Sequence, residues 1–560
     1  MTRRTSYEVQ ILQDKHWIIQ EVIEAEDEAV SFAESLVQKG NLEAVRVIRD
    51  FSRQDGTHSE TVVMEKTGDG KAKPDTAIAP VQDAPLCDHP DDFLGLSARL
   101  TFGRLARKYL DDMVLTPTEL LHSAAEMKRF ADKDRLLMTA VDSIATLQAR
   151  QFGLEQKARR DALYKAWDQG QARARALAAL KLPEDKSFAA LRRLAPGQGG
   201  ERDYRLLALM ARRLIDQRAW LGKLDLLLAW SGEAEAEADR ALLDGVMADL
   251  LIPAQLVQDL LGFQPNLGMA LGQICDLVDG RAEAAKFAPP GFAPLNALFA
   301  AGHLPQTRQV LLGRVARELR GANPLSRNEP AQEYEMFSRL AHRLIGDSGM
   351  IGGPAMAEAL VQRYGQMVAA TGPGSTLRAV EGLLSSLNDC CRRVHLLLAL
   401  GESPLGLPGD LLGLLENIVR TADHINYWVP QRMPPRERMQ SLTLTNGALA
   451  ASGVVPNPPR DSLAECLDDA LVRYLQEEGV IEKIDKADDP LALRAIRLVK
   501  FCGSGVLIRG KSLNMARARV IEHLRQPQFE EKFLSSLGDA GQAERNLREF
   551  HRLLRESGFA

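Results

Sequence analysis

From position 206 to 346, hydrophobic side chains recur at helical spacing in one segment after another, separated by short breaks. In YRLLALMARRLIDQRAWLGKLDLLLAW, Leu206, Leu207, Met210, Leu214 and Leu221 share one side of a 3.6-residue period, and Arg212, Arg213 and Arg218 lie away from it. That pattern predicts a surface helix with one buried stripe. Next, Glu233, Glu235 and Glu237 oppose the dipole at the start of a helix carrying Leu242, Leu243, Val246 and Leu250. Pro253 opens a further helix and Gly262 closes it, Asn266 caps the segment 267–278, and Pro305 opens one that ends at Gly321. This central helical body spans 201–428, with further helical segments at 354–370, 375–400 and 408–428.

The chain on either side predicts its own units. Residues 1–66 form a small α+β module: YEVQIL alternates, HWIIQEVI is β-branched and aromatic, Ala29, Val30, Ala33, Leu36 and Val37 keep helical spacing, and two further strands flank an Asp55-Gly56 turn. The order is ββαββ. Residues 67–89 lack periodicity and are rich in Gly, Pro, Ala and Asp, which predicts a flexible linker. A helical region follows at 90–200, with a capping box of Thr116 and Glu119 and a long basic stretch, 133–180, expected as a hairpin or projecting arm. Prolines at 430, 434, 435, 456, 458 and 459 predict an irregular excursion over 429–460 carrying one short helix, and 461–560 returns to helix. The expected fold is therefore mostly α: an irregular multi-helix array, either α-solenoid-like or one large helical domain, behind a small α+β module.

Composition adds constraints. Scarce aromatics and abundant Leu and Ala favour helix, and a net charge of −5 over 560 residues selects no partner by bulk electrostatics. No stretch approaches the ~20 apolar residues of a membrane span, and no apolar h-region follows the two N-terminal arginines. The six cysteines, Cys87, Cys275, Cys390, Cys391, Cys466 and Cys502, show no CxxC pattern and read as small buried hydrophobes in a reducing compartment. A cytoplasmic location is the expectation.

Few residues suggest chemistry. Gly505 to Ser512 matches the phosphate-loop pattern, with Gly505, Gly510, Lys511 and Ser512 as the candidate nucleotide-binding residues. The segment before it, however, reads as a helix opened by Pro490, and the loop interior is Val-Leu-Ile, which favours burial; a turn between helices is the alternative. Cys391 and His395 share a helix face, but two ligands do not make a metal site. His424, beside Asp423, Tyr427 and Trp428, is a candidate base or stacking residue. Over 150–218, Arg159, Arg160, Arg173, Arg175, Arg192 and Arg193 form a possible basic contact surface.

The expected function is a non-catalytic scaffold or adaptor acting through protein–protein contacts, with no catalytic residue, metal or cofactor assigned. Beside it stand a nucleotide-dependent enzyme or switch using the phosphate-loop pattern, and a nucleic-acid-associated protein using the basic region.

Overall fold

A computed structural model of the chain describes residues 4–13, 16–38, 44–52, 58–67, 78–285, 288–326, 330–346, 349–369, 372, 374–507, 509–537 and 543–559. The chain divides into two compact units, Met1–Ala178 and Ala179–Ala560. It is mostly helical, with a small N-terminal sheet followed by a large helical array.

The first unit begins with β1 (Arg4–Gln13), β2 (His16–Ile23), a helix at Glu26–Gln38, β3 (Ala44–Ser52) and β4 (His58–Thr67). The strand order is β2-β1-β3-β4, with every neighbouring pair antiparallel. Val9 faces Val47 and Ile11 faces Val45 across the central pair, so alternation brings them, with Tyr7, to the side that receives Ala29 and Ala33 of the helix. On the strands flanking that pair, Ile19, Val22 and Val62 stay about half exposed. The expected Asp55-Gly56 turn lies outside the described residues.

Part of the expected linker is packed. Residues 68–77 lie outside the described residues, but from Ile78 onward the segment is held in place. Ile78, Ala84 and Cys87 are buried, the Ala79 amide donates to the Leu105 carbonyl (2.7 Å), and the Ala84 amide donates to Gln151 Oε1 (3.2 Å). Apolar burial and two backbone anchors outweigh a composition that favours a tether. Beyond it, Thr116 and Glu119 form their capping box at 3.2 and 2.7 Å, on a helix of only five residues, Pro117–Leu121. The basic stretch folds as a hairpin of Leu136–Phe152 and Gln156–Ala178, turned at Gly153, whose φ of +66° suits glycine. Its second helix packs on both Leu136–Phe152 and Ala124–Asp132, so it does not project as an arm.

In the second unit, one continuous set of buried side chains runs from Phe188 to Phe550. Helices pack mainly against near neighbours in the chain, which is how an array grows. The expected long helix from Tyr204 is two, Gly200–Ile215 and Trp220–Glu233, and Leu206 to Ala211 are all buried, so the first is covered on more than one stripe. Asn266 caps Leu267–Val278 by accepting from the Met269 amide at 2.9 Å. The expected irregular excursion contains a seventeen-residue helix, Pro435–Ala451. Two of its prolines open helices, Pro435 and Pro459 of Pro459–Glu477, where a missing amide hydrogen costs nothing.

Two long helices begin without a capping side chain of their own. Pro305–Arg320 follows Leu304, and Gly510–Leu524 follows Arg509. In each case a carboxylate arrives from another helix. Asp244, 1% exposed on Glu237–Leu250, accepts from the Gln306 amide (2.7 Å), the Thr307 amide (3.0 Å) and Thr307 Oγ1 (2.7 Å). Asp468, on Pro459–Glu477, accepts from the Lys511 and Ser512 amides and from Ser512 Oγ (2.5 Å). The two sites share one design: a remote aspartate, the amides of the second and third helical residues, and the hydroxyl of the third.

Asp244→Ala should cost about 2 kcal/mol, because a buried charged acceptor for two helix-end amides and a hydroxyl disappears at once. Hydrogen exchange should accelerate over the first turn of Pro305–Arg320 and remain unchanged at the start of Gly510–Leu524. Equal acceleration at both would show a global effect in place of a lost cap.

Candidate functional site

Charged side chains from several separate elements converge in the second unit, in a cleft of about 540 Å³. It is lined by the end of Leu267–Val278, by Pro305–Arg320 and Pro330–Leu344, by the short strands Ile345–Gly346 and Gly349–Met350, and by Cys390–Gly401 and Pro435–Ala451. Asp279, which ends the first of these helices, lies at its centre. Arg281 reaches its carboxylate at 2.9 Å, Arg308 at 3.1 Å and Arg343 at 2.8 Å. Arg343 also bonds Asp276 (2.7 Å) and the Cys275 carbonyl (3.0 Å), closing the helix C-terminus with a cation as its dipole favours. On another wall, Arg392 donates to the Ile345 carbonyl (2.8 Å) and to Asp389 (2.5 Å).

Burial alone would push the Asp279 carboxyl up, but hydrogen bonds from Arg343 and Arg308 outweigh it and hold Asp279 below the usual carboxylate range. Burial likewise opposes the charge on Arg343, and bonds to Asp279 and Asp276 raise its pKa. The charged forms are thus locked together. Arg281 and Arg308 keep side-chain exposures of 65% and 40%, so both remain open to solvent. Met433, Ile351 and Leu444 give the same cleft apolar surface. The arrangement suits a carboxylate-bearing ligand that buries some apolar surface.

The candidates read from sequence lie elsewhere. Ahead of Gly505 comes the helix Leu491–Gly503, not a strand, and Val506 and Leu507 are buried. The amides of Lys511 and Ser512, which a phosphate would need, bind Asp468, while Lys511 Nζ pairs with Asp469 at 2.7 Å. An alanine Cβ at Gly510 would approach Asp468 Oδ2 to 2.2 Å, so the glycine admits a carboxylate of this chain itself. The pattern match is a helix-to-helix turn closed by a remote cap.

The six arginines of the basic region are placed as follows. Arg159, Arg160, Arg173 and Arg175 belong to the first unit, and Arg192 and Arg193 to the second. Arg159 is buried, donating to Gln148 Oε1, to the Cys87 carbonyl (2.8 Å) and to Asp88. Arg160 pairs with Asp142 (3.4 Å), Arg173 with Asp91 (2.5 Å) and Arg192 with Asp239 (3.2 Å), whereas Arg175 and Arg193 are exposed. Four of these six arginines thus have a bonding partner within their own unit.

His424 is the N-cap of Ile425–Trp428, accepting from the Asn426 amide (3.1 Å) with its other nitrogen 3.0 Å from Glu477. Cys391 and His395 are buried, with His395 3.0 Å from Thr445 Oγ1. Among the described residues, no three His, Cys, Asp or Glu side chains are grouped to hold a metal ion. All six cysteines are free thiols, and burial pushes those of Cys87 and Cys275 up to about 12. Sequence reading missed the arginine cleft because its residues span positions 279 to 444, and only the fold makes them neighbours. No family model, characterised protein or solved structure matches this chain.

Two outcomes follow. Magnesium-ATP and magnesium-GTP should leave the melting curve unchanged, whereas Gly510→Ala should lower stability by about 2 kcal/mol, since its φ is +88° and its Cβ would strike Asp468. A nucleotide-dependent shift abolished by Lys511→Ala would restore the phosphate-loop reading. In the cleft, a carboxyl held below its unfolded value contributes stability present above roughly pH 4, lost as pH falls through its folded value. Hydrogen exchange at 276–281 and 340–346, corrected for intrinsic rates, should therefore rise in that acid range. Asp279→Asn should show raised exchange already at neutral pH and no such acid step.

Proposed function

We propose that this chain is a non-catalytic helical scaffold that holds a partner protein through an acidic segment seated in the arginine-lined cleft. The observation that carries this reading is the convergence of Arg281, Arg308 and Arg343 on one carboxylate, with two of the three guanidiniums still open to solvent. Asp279 fixes the arginine side chains before a ligand arrives, which lowers the conformational cost of binding. Guanidinium forks then recognise further carboxylates in a planar, two-bond geometry. The apolar side chains beside them favour a peptide segment over a small anion.

A cytoplasmic setting is part of the proposal. Its support is six free thiols and, among the described residues, no single helix long and apolar enough to cross a membrane. One bent pair, Glu237–Leu250 with Ala254–Leu261, passes by length and composition at an angle of 97°. The first of its helices carries the buried Asp244.

The test compares tagged full-length protein with its Arg281→Glu, Arg308→Glu double variant in affinity capture from its own cell extract, with and without nuclease. A discrete partner that survives nuclease and falls on the order of tenfold in the variant is expected, because two charge-assisted contacts are reversed. Identical partners on both forms, or only nuclease-sensitive material, would refute the proposal.

A further inference from the structure

The sheet of the first unit ends in two strands of unlike character. Among the described residues, β2 closes it on one side and β4 on the other, so each offers one edge of backbone amides and carbonyls. β4, HSETVVMEKT, carries Glu60, Glu65 and Lys66, charges of the kind that keep an edge from pairing. β2, HWIIQEVI, has no lysine or proline and one carboxylate, Glu21, and it leaves Ile19 and Val22 exposed by 49% and 56%. An eight-residue edge of that composition is a template for another strand.

Its sequence fits one strand in particular. The string IIQEVI, positions 18–23, is close to its own reverse: Ile19 stands as far from the midpoint as Val22, and Gln20 as far as Glu21. Two such strands, antiparallel about a two-fold axis between 20 and 21, would set Ile19 against Val22 of the second copy, twice over. Each Gln20 amide would meet the Glu21 carboxylate of the other copy. Regular strands could not pair this way, because residues three apart point to opposite faces whereas directly opposed residues must share one. β2 is not regular. Its register against β1 skips Gln20: Ile19 faces Gln10, Glu21 faces Val9 and Val22 faces Glu8. Glu8 and Gln10 lie on one face, joined by a 2.8 Å hydrogen bond, so the bulge brings Ile19 and Val22 to that face together. Gln20 and Glu21 are both exposed.

We propose that β2 pairs antiparallel with β2 of a second copy of this chain, about a two-fold axis between Gln20 and Glu21, joining the two sheets into one. A bulge elsewhere along an edge would twist it away from a neighbour; at the axis, it sets the matching faces. The arginine cleft takes no part in this contact.

Sedimentation of the full-length protein at up to about 100 μM should show a reversible monomer–dimer equilibrium. Ile19→Lys, which places a guarding charge on the edge, should weaken it on the order of tenfold or more. The double variant Ile19→Lys, Val22→Glu should recover it, because opposite charges then meet at both contacts. Val62→Lys, on β4, should change nothing. In the unaltered chain, hydrogen exchange over 17–23 should slow as concentration rises while 58–67 stays constant, a readout that no folding defect in a variant can mimic. A monomer at every concentration, a dimer indifferent to Ile19→Lys, a dimer lost with Val62→Lys, or protection confined to 58–67 would each overturn the proposal.

Discussion

The helical array depends on carboxylates that satisfy the open ends of helices to which they do not belong. A helix start exposes amide hydrogens that must find acceptors, and a buried start cannot use water. Asp244 and Asp468 supply those acceptors across 62 and 43 residues of chain, and in both cases the third helical residue is a hydroxyl that doubles the link. Such a bond fixes the position of one helix along the axis of another, which apolar packing alone does poorly. Register in the array is thereby set by a few polar points embedded in a continuous apolar core.

Where capping chemistry is local, sequence shows it. Thr116 with Glu119, from their three-residue spacing, and Asn266 ahead of 267–278 read as caps and occur as such. Where it is remote, only an absence is visible: Leu304 and Arg509 precede helices that need a cap and bring none. The helix Pro435–Ala451 was hidden for a different reason. Ser441, Thr443, Thr445 and Asn446 are buried on it, so it shows no apolar stripe. The side chains of Thr443, Thr445 and Asn446 bond instead to Val506, His395 and Ala464. Arg159 reads as one member of a solvated run, yet its acceptors, Gln148 and the Cys87 carbonyl, lie 11 and 72 residues away. Secondary structure was legible from period and punctuation; burial of polar groups was not, because it depends on partners the period does not encode.

The arginine cleft follows the same physics on a larger scale. Three guanidiniums on one aspartate would repel each other in isolation, and Asp276 and Asp279 together hold Arg343 against burial. The result ties the end of one helix to two others while leaving Arg281 and Arg308 open to solvent. Stability and the proposed recognition draw on the same side chains, so a change at Asp279 would alter both.

The direction of the two remote caps has a consequence for a chain made from its N-terminus. In both, the acceptor is synthesised before the helix that uses it, Asp244 ahead of Pro305 and Asp468 ahead of Gly510. Each new helix therefore emerges to find its seat already built, and vectorial synthesis itself helps order the array.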